Sequence, residues 1–168
     1  MSTAHTSTMS TPIGPFTAIV TADGAVLASG WTAHTDELLP QISPSLRPAE
    51  LRTRRDLGPV TTAVRAYHGG DLACVDDVEV RQRSGKFLEY AWQVLRTVPA
   101  GQPTTYTEFA ALAGRPAAVR AAASACARNA AALFVPCHRV RRIGGALGGF
   151  RWGLDVKRWL LDHETVRQ

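Results

Sequence analysis

Residues 106–129 read YTEFAALAGRPAAVRAAASACARN. Phe109, Ala110 and Leu112 predict a short helix, capped by Thr107 and closed at Gly114. Gly114-Arg115-Pro116 turns the chain. Pro116 suits the first position of a second helix that runs to about Asn129. Two short helices around a tight Gly-containing turn, the second rich in Arg and Ala, have the form of a helix-turn-helix. Ala is the best helix former, and its small side chain lets a helix lie close to a nucleic-acid groove. The same pattern also fits a plain αα-hairpin packed in a core.

Moving outward, residues 130–135 (AAALFV) read as a short apolar strand that leads into Pro136-Cys137-His138-Arg139-Val140. A loop with Gly144, Gly145, Gly148 and Gly149 follows. Val156, Trp159, Leu160 and His163 mark a final helix. Upstream, Ser84 can cap a helix carrying Phe87, Ala91, Val94, Leu95 and Val98, with Pro99 ending it. The first 80 residues have a different texture. Gly14 to Val20 and Ala25 to Trp31 flank Ala22-Asp23-Gly24, a hairpin signal. Pro40, Pro44 and Pro48 mark a loop. Leu57 to His68 has helical spacing and ends at Gly69-Gly70, and Val75, Val78 and Val80 fit a further strand. The first ten residues, MSTAHTSTMS, hold no Lys, Arg or apolar block, so they read as a frayed tail rather than a secretory signal. The predicted fold is α+β: a tail (1–10), a small N-terminal sheet-plus-helix domain (11–80), and a mainly helical C-terminal domain (81–168) with a helix-turn-helix.

A chain of 168 residues, 45% hydrophobic and 20% charged, can bury a sizeable core. No apolar run approaches the ~18 residues of a membrane span. Cys74, Cys126 and Cys137 form no CxxC pair and no disulfide framework, which points to a reducing cytoplasm. Charge is segregated. Residues 1–80 hold five Arg against nine acids, net −4, whereas residues 81–168 hold 14 Lys plus Arg against five acids, net +9. A basic half suits a polyanion, nucleic acid first. Because 17 of the 19 bases are Arg in an Ala-rich chain, compositional drift explains the charge equally well.

Cys137 is the strongest chemical candidate. A cysteine is nucleophilic as the thiolate, and an imidazole in reach can take its proton. Glu164, next to His163 on the last helix, is a candidate to hold that imidazole. A lone Cys in an apolar segment is more often a buried core thiol. The string Val135-Pro136-Cys137-His138-Arg139-Val140, however, resembles the active-site motif of the O6-alkylguanine-DNA alkyltransferases, the methylated-DNA–protein-cysteine methyltransferases. The pattern Phe87, Trp92, Leu95, Val98-Pro99, Gly101 and Thr104-Thr105-Tyr106 is similar to the helix and loop ahead of that family's helix-turn-helix. Arg120-Ala121-Ala122 and Asn129 stand where the family has its arginine finger and active-site asparagine. Gly149-Phe150-Arg151-Trp152-Gly153 through Lys157, Trp159, Leu160 and Leu161 resembles its active-site loop and closing helix. Thr11-Pro12-Ile13-Gly14-Pro15 resembles the start of its N-terminal domain. The resemblance spans about residues 11–164.

The resemblance implies direct-reversal DNA repair. The damaged base flips out of the duplex, and its O6-alkyl group passes irreversibly to Cys137, once per molecule. It implies His138 as base, acting through a water, with Glu164 orienting it. Tyr106 would donate to guanine N3, and Asn129 would tie the turn before the motif to the helix-turn-helix. Arg120 would fill the gap in the base stack from a helix lying in the minor groove. The carbonyls of Cys137 and Val140 and the amide of Arg151 would read the base. Thr105, Ala121, Ala122, Arg128, Arg139, Phe150 and Trp152 complete the implied DNA and substrate contacts. No cofactor and no metal are expected, since no Cys precedes Cys74 to form the zinc site of some members. The partner is double-stranded DNA containing O6-alkylguanine, met by a monomer with no membrane attachment. Three departures stand out: Ala130 where the family usually has Pro, Arg151 where many members have Ser, and Trp152, which should narrow the pocket toward methyl over benzyl. Three competing readings are an alkylguanine-binding protein without transfer, a thiol hydrolase using Cys137, His138 and Glu164, and a sequence-specific helix-turn-helix regulator.

Overall fold

The computed structural model describes residues 2–165. Among them the chain forms two compact units. The first holds the residues up to Arg83 together with Ala130–Phe134, and the second holds Ser84–Asn129 and the residues from Val135 onward. The sequence places the divide at 80/81 and keeps 130–134 in the second half. The structure moves that segment into the first unit.

The first unit is built on a four-stranded sheet: β1 (Thr3–Thr11), β2 (Gly14–Thr21), β3 (Val26–Gly30) and β4 (Glu50–Thr53), in the order β3-β2-β1-β4. β1 and β2 form an antiparallel hairpin closed by the pair Thr11↔Gly14, and β4 joins β1 in parallel. This corrects the reading of residues 1–10 as a tail. Ala4, Thr6, Ser7 and Met9 are buried, and the Thr6 hydroxyl donates to the Ala18 carbonyl at 2.9 Å. Thr and Ser carry little hydropathy, but Thr is a good strand former, and register against β2 supplies what hydropathy lacks. Thr11-Pro12-Ile13-Gly14-Pro15 is thus a hairpin turn inside the domain. The β2–β3 hairpin turns at Ala22-Asp23-Gly24, with the Gly24 amide donating to Thr21 at 3.0 Å.

Helix α1 (Pro59–His68) buries Val60, Ala63, Val64, Tyr67 and His68 and packs against β1. It ends in a Schellman motif: Asp71 N–H bonds Ala66 at 2.9 Å and Gly70 N–H bonds Tyr67 at 3.0 Å. The predicted strand over Val75, Val78 and Val80 does not form. Residues Leu72–Val75 make a 3-10 turn, and Val80 makes only an isolated bridge to Val26. Residues 130–135 are not a strand either. They turn irregularly, with a single bridge from Ala131 to Ser29, and Leu133 takes a φ of 79°. Their apolar character serves burial: Phe134 stands edge-on to Phe16 at 6.4 Å, and Phe16 in turn to Trp31 at 5.0 Å.

The second unit contains α2 (Lys86–Leu95), β5 (Thr104–Thr105), α3 (Tyr106–Leu112), α4 (Val119–Ala127), β6 (Val140–Arg141) and α5 (Leu154–His163). α2 is capped from Gly85 and not by the Ser84 hydroxyl, although the Ser84 amide donates to Glu89 at 2.8 Å. The cap of α3 is Thr105, two residues earlier than the predicted Thr107. Its hydroxyl accepts from the Glu108 amide at 3.1 Å, while Glu108 accepts from the Thr105 amide at 3.2 Å. Thr-x-x-Glu is a capping box, and Thr107 lies inside the helix that the box opens. α3 closes in a Schellman motif at Gly114, and α4 begins at Val119, so Pro116 lies in the connection and not at the first helical position. Both α2 and α3 pack on α4, through Ala122 and Ala125 on its buried face. The Trp92 indole donates to the Ala125 carbonyl at 2.8 Å.

Candidate active site

Pro136 ends the apolar segment, and Cys137–Arg139 make one 3-10 turn before β6. That turn buries three side chains in succession. Cys137 is 8% exposed, and its Sγ accepts from the Asn129 amide group at 3.3 Å. The same Asn129 Nδ2 donates to the Val135 carbonyl at 2.8 Å. One amide therefore fixes both the approach to the turn and the sulfur at its start. Burial pushes the Cys137 thiol up, and the Asn129 hydrogen bond and the charges of Lys157 and Arg151 only partly offset this. A nucleophilic role for this sulfur would call for a base in reach.

His138 is the imidazole that follows Cys137 in the chain. Its Nε2 lies 2.7 Å from Glu164 Oε2, and both side chains are 1% exposed. Arg139 grips the same carboxylate, with Nε on Oε1 at 2.9 Å and a terminal nitrogen on Oε2 at 3.0 Å. Its other terminal nitrogen reaches the Val98 carbonyl at 2.7 Å. Burial would raise the Glu164 pKa. Against it stand the His138 imidazole, by its charge whenever it is protonated and by its hydrogen bond throughout, and the bonds and charge of Arg139, which together hold the carboxyl well below the usual range. Burial dominates at His138 and pushes the imidazole down, with Glu164 opposing. The consistent state is an ionised Glu164 paired with Arg139, beside a neutral His138 that donates Nε2–H to it. Nδ1 is then the lone-pair nitrogen. It is buried and has no hydrogen-bond partner in the structure.

Tyr106 opens α3, and Arg120 is the second residue of α4. Together with Val119, Ala123, Arg142 and Ile143 they line a surface cavity of about 580 Å³. Burial, then the charges of Cys126 and Cys137, push the Tyr106 phenol up to about 12, so it stays protonated. The ring lies against Gly148, where a Cβ would meet the phenol oxygen at 3.0 Å. Gly148 also has φ +74°, a conformation that favours glycine.

Residues 86–166 match the family model for the DNA-binding domain of 6-O-methylguanine DNA methyltransferase. The chain is 32% identical over 158 residues to the methylated-DNA–protein-cysteine methyltransferase of Salmonella typhimurium, covering 93% of this chain and 92% of the relative. It is 34% identical over 166 residues to the enzyme of the same name from Mycobacterium tuberculosis H37Rv, covering 97% and 93%. The chain belongs to the methylated-DNA–protein-cysteine methyltransferases. In structure it is similar to Mycobacterium tuberculosis OGT solved in complex with DNA, with a TM-score of 0.79 and 29% identity over 96% of this chain and 92% of that one.

Within this methyltransferase the remaining expected residues divide by burial. Arg120 and Arg128 are exposed on α4 and just beyond it, and Ala121 is half-buried. Ala122 is fully buried, which corrects its assignment as a DNA contact: the 100° helical step turns it, with Ala125, toward the core. Arg139 is corrected likewise. It is 3% exposed with its guanidinium committed to Glu164 and Val98, so it positions the carboxylate rather than touching DNA. The Thr105 hydroxyl is engaged in its cap. Val140 is buried, and its carbonyl accepts from Lys157 at 2.7 Å. The Cys137 carbonyl accepts from the Val140 amide. Each of these carbonyls keeps a second lone pair for a substrate amine. Phe150 and Trp152 are half-buried, and the exposed Arg151 sends its guanidinium to the Ala127 carbonyl at the end of α4.

No role follows for Lys157 from the sequence. It is fully buried on α5, and its Nζ donates to Val140 and, at 3.3 Å, to Gly149. It thus pins both ends of the loop that carries Gly148. Burial lowers its pKa, while Cys137 and Cys126 oppose this. A signal was present: Lys157 is one of two lysines among 19 basic residues, and a compact ammonium fits between two carbonyls where a guanidinium fork does not. Among the described residues, no group of three or more His, Cys, Asp or Glu is placed to hold a metal.

Proposed function

We propose that this methyltransferase reverses O6-alkylguanine in double-stranded DNA directly, with Cys137 as the alkyl acceptor. The observation that carries the residue assignment is the turn Cys137–Arg139. There a buried thiol adjoins a neutral imidazole whose Nδ1 has no partner and whose other nitrogen is held by an ionised Glu164. The thiol proton passes to His138 Nδ1 through a water, and the imidazolium is stabilised by Glu164. The thiolate attacks the alkyl carbon. An S–C bond forms, the C–O6 bond breaks, and the electron pair leaves on guanine, which Tyr106 meets with a phenolic hydrogen bond at N3. A phenol with a raised pKa is suited to donate. Lys157 places a buried positive charge near the developing thiolate. The product is a thioether, a poor leaving group, so each molecule acts once.

α3 and α4 would serve as a helix-turn-helix, with α4 in the minor groove. Arg120 would occupy the stack position that the flipped base vacates. Exposed Arg115, Arg120, Arg128 and Arg142 suit phosphate contacts without sequence preference, so binding is expected to weaken steeply with salt. All the proposed catalytic groups lie in one unit of one chain, which supports action as a monomer. The three free cysteines support a cytoplasmic setting. Among the described residues no helix is long and apolar enough to cross a membrane.

Mass spectrometry tests the reading. After mixing with duplex containing O6-methylguanine, the peptide bearing Cys137 should gain one CH2, and the lesion should disappear in equal amount. An unchanged peptide with the lesion retained would show binding without transfer. Repeated turnover of an ester or peptide would favour a thiol hydrolase.

A further inference from the structure

Ile143 is the most exposed large apolar side chain of the described residues, at 72%. Its position is set by a tight turn: the Gly145 amide donates to Arg142 at 3.2 Å, and Gly144 has φ +88°, as the third residue of a type II turn requires. The Arg142 amide donates to Ala146 at 2.9 Å and braces the turn's base. Ile143 is therefore held at the corner of a turn where packing gives it no role. That corner lines the same cavity as Tyr106 and Arg120. Arg141 and Arg142 precede it, so charge suited to a phosphate backbone adjoins an apolar tip.

We propose that Ile143 is an apolar wedge for opening the duplex: it enters the minor groove beside Arg120 and covers the stacked bases exposed when the damaged nucleotide leaves. Side chains of this kind are used to part base steps in the minor groove. The proposal rests on the base-flipping reading above. Arg120 supplies a flat cation, and Ile143 supplies apolar surface that water cannot match against an exposed base face. A branched side chain already fixed at a turn corner loses little freedom on insertion.

The test compares single-turnover transfer to Cys137 from one oligonucleotide carrying O6-methylguanine, as a duplex and as a single strand. A single strand has no partner stack to open. Ile143→Ser should lower the duplex-to-single-strand rate ratio about tenfold, and Ile143→Leu should keep it within about twofold of the parent. An unchanged ratio for Ile143→Ser would overturn the wedge, as would equal loss on both substrates, which marks damage to the cavity itself. Failure of the parent protein to alkylate Cys137 on either substrate would instead sink the functional reading.

Discussion

His68 and His138 are both buried imidazoles, one in each unit, and they are bonded in opposite ways. In the first unit His68 Nδ1 sits 2.7 Å from the Val64 carbonyl, and Nε2 accepts from the Trp31 indole at 3.3 Å. An indole only donates, so Nε2 must be the lone-pair nitrogen and Nδ1 the protonated one. Both are used, and the ring sits edge-on to Phe16, Trp31 and Tyr67 as a packed aromatic. In the second unit His138 has one nitrogen on a carboxylate and the other unpartnered. A histidine with both nitrogens satisfied is a core residue. One that keeps a buried lone pair, on the residue next to Cys137 in the chain, has what the proposed base role needs.

The two imidazoles should differ most in alkyl transfer. His138→Ala should slow alkyl transfer by about 10²–10⁴-fold, the usual worth of a positioned base, measured as single-turnover rates on methylated duplex. His68→Ala should leave that rate within about twofold. Equal rate losses at both positions would erase the distinction. The pH profile sharpens the same point. The base must be neutral to act, so transfer should rise with pH through an ionisation below the ordinary imidazole value of 6.5.

Next in size is the carboxylate. Glu164→Ala leaves Arg139 buried without its anion, and breaking such a pair costs about 3–5 kcal/mol, read as a loss in urea or thermal unfolding. The sign with pH follows from the depressed pKa values. The stability that His138 and Glu164 contribute is complete above their unfolded values. It is lost as pH falls, first below about 6.5 for His138 and then below about 4.5 for Glu164. Melting temperature should therefore drop on acidification, and less so in Glu164→Gln, which no longer has a carboxylate to protonate.

A smaller effect is expected in the first unit. His68→Ala removes the hydrogen bond to Trp31 and should cost about 1–3 kcal/mol of stability, with transfer kept in the folded fraction. Smallest is Gly148→Ala, a single methyl at φ +74° against the Tyr106 phenol. It should cost about 1 kcal/mol of stability. Its slowing of transfer should be matched by Tyr106→Phe and not worsened in the double variant, because both act on the same phenol.

Much of the second unit was legible along the chain. The faces of α2 and α5, the stop at Gly114 and the Cys137-His138 pair are encoded within a few residues of one another, and helical burial repeats every three to four positions. Position within a repeat was less secure, as Thr105 in place of Thr107 and Ala122 on the inward face show. The first unit was harder. β1 lacks a hydropathy signal, because Thr and Ser become strand residues only once β2 lies beside them. Residues 130–134 look like a strand by composition yet fold as turns.

By itself the sequence determined the helices, the hairpin at Asp23-Gly24 and the presence of a thiol next to an imidazole, since each depends on neighbours close in the chain. Only the tertiary structure decided that Arg139 faces inward, that Lys157 pins the loop, and which nitrogen of His138 is free. Glu164 lies 25 and 26 residues from the two groups it binds. In a dry interior, the partner brought there by folding sets the charge of each group, and local spacing carries no record of it.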